Sequence, residues 1–135
     1  MQRIIIATCV AFILAGCISS SQYLTPVQRE IDDIGLKYTK DEVQIDFGES
    51  YQDDEILLLV NGKRVFSKVI TTPDDGAGFT DSIGFSTTEQ HLELRLVING
   101  EEWKSKINLN NGHFFCIMFE GTPIIEQAKF PFYYD

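Results

Sequence analysis

Histidine and cysteine are scarce in this chain, with two of the first and three of the second among 135 residues. That scarcity removes whole classes of chemistry. A structural zinc site wants four Cys or His ligands at close spacing. Here Cys9, Cys17 and Cys116 are isolated, and His91 and His113 stand singly. A catalytic triad needs a histidine between a nucleophile and a carboxylate. No Gly-x-Ser-x-Gly, Ser-x-x-Lys or His-Glu-x-x-His sequence is present, and no glycine-rich loop joins a strand to a helix as a phosphate cradle. Positive charge is scarce too. Eleven Lys and Arg face twenty Asp and Glu, for a formal charge of −9. Such a surface repels nucleic-acid phosphates and anionic lipid headgroups. Adjacent acids such as Asp32-Asp33, Asp53-Asp54 and Glu101-Glu102 carry little information in so acidic a chain. A glycosidase pair needs no proximity in sequence, so a hydrolase stays as a minor alternative. With no other catalytic set in view, the chain is read as a non-enzyme.

An apolar run long enough to span a bilayer is also missing. The longest apolar stretch, Ile4 to Ala15, falls short of the roughly 20 residues a spanning helix requires. It fits the apolar core of a secretory signal peptide, which has a cation before it and small residues after it. Arg3 precedes the stretch and Leu14-Ala15-Gly16-Cys17 closes it. That closing tetrad resembles the lipobox of bacterial lipoproteins. The resemblance covers the first 17 residues and implies removal of residues 1–16, with a diacylglyceryl thioether and an N-acyl chain such as palmitate on Cys17. Each buried methylene contributes about 0.8 kcal/mol, and two or more chains anchor stably. Ile18 stands where an Asp would resemble an inner-membrane retention signal, and no acidic run follows Cys17. The resemblance therefore implies a lipoprotein of the cell envelope, on the outer membrane and facing the periplasm. No other cofactor is expected.

Loss of Arg3 leaves one cation fewer against the same twenty acids, a formal charge of −10. Cys9 leaves with the signal and Cys17 is lipidated, so Cys116 has no partner for an intrachain disulfide. It lies in the apolar run Phe114–Phe119, which offers none of the cationic surroundings a reactive thiolate wants, and reads as a small buried hydrophobe. Residues 17–24, with Ser19, Ser20 and Ser21, read as a lipidated polar tether. Residues 25–135 read as one domain.

Thr25, Pro26 and Gln28 resemble a helix start, and Val27, Ile31 and Ile34 recur at helical spacing. They suggest one short N-terminal helix. From Val43 the period falls to two. Strands are expected over Val43–Phe47, Ile56–Val60, Lys63–Thr71, Phe79–Ser86, His91–Ile98, Glu101–Leu109, His113–Glu120 and Ile124–Phe130. Asn61-Gly62 and Asn99-Gly100 are type I′ hairpin signals. The segments Leu57–Gly62 and Arg95–Gly100 look alike, which reads as recurrent hairpin chemistry rather than a proven repeat. The expected fold is all-β, an antiparallel β-sandwich of about 7–8 strands. It generically resembles immunoglobulin-like and transthyretin-like sandwiches, with a small barrel as the alternative.

Two groups of residues are candidate sites. Asp74, Asp75 and Asp81 surround Gly76 and Gly78, a bend with the oxygen ligands calcium favours but without EF-hand spacing. A solvated acidic turn is the plainer reading, so no metal is assigned. Trp103, Phe132, Tyr133 and Tyr134 could supply a sugar platform or a protein hot spot, or could simply close the core. The functional expectation is a membrane-anchored binding or assembly module with an envelope protein partner. The alternative is a carbohydrate-binding module or an inhibitor of an envelope-attacking enzyme.

Overall fold

The computed structural model describes residues 22–75 and 78–134. The chain forms two five-stranded sheets packed face to face, a β-sandwich. Ten strands run in order: β1 (Gln22–Leu24), β2 (Val27–Arg29), β3 (Glu42–Phe47), β4 (Asp54–Val60), β5 (Lys63–Ile70), β6 (Asp81–Ser86), β7 (His91–Ile98), β8 (Glu101–Asn108), β9 (Phe114–Phe119) and β10 (Pro123–Ala128). The first sheet has the order β1-β8-β7-β4-β5 and the second β2-β10-β9-β3-β6.

Period-two patterning puts one face of each central strand into the core. In β7, Leu92, Leu94, Leu96 and Ile98 are buried while His91, Glu93 and Arg95 are exposed. Val43, Ile45 and Phe47 of β3 face them across the sandwich, with Phe115 and Ile117 of β9 beside them. Phe47 stacks on Phe66 of β5 at 4.5 Å between ring centroids, and Trp103 of β8 meets Phe119 of β9 edge-on at 6.3 Å. Contacts of this kind add about 0.5–1.5 kcal/mol beyond the area they bury. The Trp103 Nε1–H is buried without a hydrogen-bond partner, which costs about 1–3 kcal/mol. Apolar burial by so large a ring outweighs that cost.

The two similar hairpins are neighbours. β4 pairs antiparallel with β7, centred on Leu58 opposite Leu96. Each turn asparagine then reaches the other hairpin. Asn61 takes the Glu93 N–H on Oδ1 at 2.8 Å and donates its own N–H to Glu93 O at 2.9 Å. Asn99 does the same with Glu55, both at 2.9 Å. All four turn residues have positive φ, as a type I′ turn demands. The likeness of the two segments thus has a structural counterpart, a local two-fold about the β4–β7 pairing.

Four expectations need correction. No helix covers Thr25–Gly35. Val27–Arg29 is strand β2, and Val27 and Ile34 are exposed. Parallel pairing of Val27–Arg29 with Glu126–Ala128 instead completes the edge of the second sheet, satisfying backbone groups of β10 that a helix there would leave unpaired. The sheets are mixed rather than purely antiparallel, because β1–β8, β2–β10 and β3–β9 pair in parallel. Among the described residues the strands number ten rather than 7–8, because β1 and β2, three residues each, are too short to show a period in the sequence. Gln22–Leu24, expected in the tether, is β1 itself.

Candidate functional site

Strand registers define two ends. β1 begins with Gln22 opposite Trp103, just after the Asn99-Gly100 turn, and Gln22 Nε2 donates to Glu101 at 3.1 Å. The chain therefore enters the fold at that end and runs toward the other. The end where it enters carries the Gly48–Asp54, Thr71–Thr80 and Glu120–Thr122 connections, and with them Glu49, Asp53, Asp54, Glu55, Asp74, Asp75, Glu101 and Glu120. The far end mixes signs, with Arg29, Lys40, Lys63, Arg64 and Lys129 near Glu30, Asp41, Glu42 and Glu89. The negative charge of the chain is thus concentrated where the chain comes in.

At the far end, four connections drawn from both sheets converge around an open cleft of about 570 Å³. They are Tyr38–Asp41 before β3, Thr87–Gln90 between β6 and β7, Leu109–His113 between β8 and β9, and Lys129-Phe130 after β10. Their positions are fixed by bonds to the sheets. Leu109–Asn111 forms a single 3-10 turn, opened by Asn108 Oδ1 accepting the Asn110 N–H at 2.9 Å. The buried amide of Gln127 donates to Asn108 O at 3.0 Å and to Gly112 O at 2.9 Å, tying that turn to β10. Gly112 packs so closely that a Cβ there would overlap the Ala128 carbonyl. Tyr38 lies edge-on to Phe114 at 4.7 Å, and its hydroxyl donates to Lys129 O at 3.3 Å. His113 Nδ1 sits 2.8 Å from Glu42 O. A carbonyl only accepts, so Nδ1 carries a proton and donates it to Glu42 O, leaving Nε2 as the ring nitrogen without that bond. Loops held this way on a rigid sandwich are where binding residues concentrate.

A second polar cluster lies on the outer face of the β2-β10-β9-β3-β6 sheet, beneath the C-terminal tail. Asp46, 2 % exposed, accepts from Ser82 Oγ at 2.7 Å, Tyr134 Oη at 2.9 Å and Gln44 Nε2 at 3.0 Å. Cys116 is its register partner on β9, and burial pushes the thiol up to about 11. Burial likewise drives the Tyr134 hydroxyl upward, helped by Cys116 and Asp46. A Cβ on Gly48 would come within 2.9 Å of the Cys116 sulfur. The cluster is close-packed and satisfied, with a neutral thiol, and its effect is to fasten the tail to the sheet. Tyr51 is raised as well, first by burial, while its hydroxyl donates to Ile117 O at 2.6 Å.

The residues singled out in the sequence are dispersed. Trp103 is buried in the core and presents nothing to a ligand. Tyr134 is engaged with Asp46, Phe132 is half-buried, and Tyr133 is exposed, so the four aromatics share no platform. Asp81 is paired with Lys68 at 2.7 Å, and this bond, ahead of its other influences, lowers its carboxyl below the ordinary value. Asp74 and Asp75 sit in an exposed turn. Among the described residues, no group of three His, Cys, Asp or Glu is placed to hold a metal ion. Cys17 and the apolar N-terminal stretch lie outside the described residues. Among the described residues no helix is long and apolar enough to cross a membrane. The far-end cleft was not foreseen. Its residues come from four distant segments, and its only local signals were Asn110-Asn111-Gly112 and an unassigned polar stretch at Thr87–Gln90.

No family model, curated protein or solved structure matched this chain.

Proposed function

We propose that the protein is a lipid-anchored envelope lipoprotein, held on the outer membrane facing the periplasm through Cys17, and that it works as a non-catalytic binding module. The observation that carries this reading is the Leu14–Cys17 tetrad placed so near the fold. Only Ile18, Ser19, Ser20 and Ser21 separate Cys17 from β1, a reach of at most about 18 Å at 3.3–3.6 Å per residue. An anchor there brings the acidic end of the sandwich next to the lipid. The short tether would hold that end at the surface even though anionic headgroups repel it, so the cleft at the opposite end would point away from the membrane, toward a partner. An envelope protein or a glycan could meet it there. The test is metabolic labelling with a tagged fatty acid. Wild-type protein takes up label and fractionates with membranes, and Cys17→Ala loses both. Label retained by Cys17→Ala, or wild-type protein found unlabelled in the soluble fraction, would overturn the anchor.

A further inference from the structure

We propose that the far-end cleft binds an uncharged glycan chain. This rests on reading the domain as a binding module and names the ligand class. The cleft has the volume of a small-ligand site, within the range of about 300–1,000 Å³. Its walls combine two kinds of group. Tyr38 and Phe130 are aromatic, and a ring face packs well against the apolar C–H face of a sugar. Asn110, Gln90 and the His113 ring supply polar groups suited to hydroxyl groups.

Charge decides against other ligands. Lys40 and Lys129 are matched in the cleft by Asp41 and Glu89, so it has no net sign to attract a phosphate or a polyanion. A peptide strand would seek a free sheet edge or a continuous apolar groove, and this cleft, made of four loop segments, offers neither. The walls are also preformed. Gln127 locks the 109–113 turn, Gly112 packs on Ala128, and Tyr38 is wedged on Phe114. A rigid site loses little entropy on binding, which matters for a ligand whose individual contacts are weak.

The experiment is titration calorimetry, with NMR shift mapping, on the full protein in a detergent that lacks a sugar headgroup. The probes are an N-acetylglucosamine tetramer, cellotetraose and a sulfated oligosaccharide of similar length. Saturable binding of a neutral tetramer is expected, with shifts confined to residues 38–41, 87–90, 109–113 and 129–130. Phe130→Ala should weaken it tenfold or more, the exposed Asn110→Ala at least threefold, and Glu101→Gln at the opposite end not at all. Tyr38→Phe should stay within about threefold, because the ring is kept. Binding of the sulfated probe alone, no binding by folded protein at millimolar probe, or unchanged affinity in both Phe130→Ala and Asn110→Ala would overturn the proposal. Mass analysis of Cys17 on the same preparation separates the two readings. Lipidated protein that ignores every neutral glycan sinks the cleft assignment alone. Unlipidated protein that binds one sinks the anchor alone.

Discussion

Replacing Gly112 by alanine should damage this protein far more than the same change at Gly100. Gly112 has φ 138° and ψ 154°, a region essentially closed to residues with a Cβ and costing them about 1–3 kcal/mol. The added methyl would also overlap the backbone carbonyl of Ala128, which β10 holds opposite Phe114 of β9. Neither strand can retreat without breaking its ladder, so an overpacking cost of another 1–3 kcal/mol is due. Together these give about 2–6 kcal/mol. Gly100 has φ 84° with nothing near its missing Cβ, so alanine there meets only the left-handed penalty of about 1–2 kcal/mol. The assay is urea unfolding followed by tryptophan fluorescence, Trp103 being the chain's single tryptophan. With a slope near the middle of the usual range, about 2 kcal/mol/M, the Gly112→Ala midpoint should fall by about 2 M and that of Gly100→Ala by about 0.5–1 M. Equal shifts would refute the claim that the 109–113 turn is clamped on β10. Any Gly112→Ala protein that still folds should also have a distorted cleft.

Other outcomes follow from the same contacts. Asn61→Ala should cost about 1–2 kcal/mol through its lost Glu93 bond and its turn conformation. Asn99→Ala should cost about 1 kcal/mol more, because Asn99 Nδ2 also donates to the buried Asp54 at 2.8 Å. The two effects should add in the double variant, since the turns lie at opposite ends. Alkaline pH should destabilise the fold. The unfolded chain loses the Cys116 proton near the ordinary 9.0 while the native state holds it to about 11. The unfolded state therefore binds fewer protons in that window, and stability falls as pH rises from 9 to 11, by at most about 2–3 kcal/mol. Tyr51 and Tyr134, both raised by burial, extend the loss above pH 10. Unfolding free energies measured from pH 8 to 11 check this, and Cys116→Ala should flatten the first part of the curve.

Strands and hairpins were legible in the sequence wherever local chemistry determines them. β3 to β10 each carry a period-two pattern or an apolar run long enough to read, and the asparagine-glycine turns declare their own backbone. β1 and β2 were not legible, because three residues show no period and their conformation comes from sheet edges formed by distant strands. Thr25-Pro26-Val27-Gln28 satisfies a helix start on paper, yet strand pairing of Val27–Arg29 with Glu126–Ala128 outcompetes it. Parallel pairing of β3 with β9 joins segments some seventy residues apart in the chain, and nothing local encodes it. The same holds for site residues. Trp103 stood out as an aromatic, but its strand face decides burial. Asp46 and Gln127 gave no signal at all, since their partners lie on other strands. The cleft depends on how four connections meet, and only the fold brings them together.

The most direct test of lipidation at Cys17 is the intact mass of the protein extracted from membranes of its native host. The expected result is a chain that starts at Cys17 and carries the added mass of a diacylglyceryl group and an N-acyl chain, with Cys116 unmodified. A chain that still begins at Met1, with Cys17 as a free thiol, would contradict it.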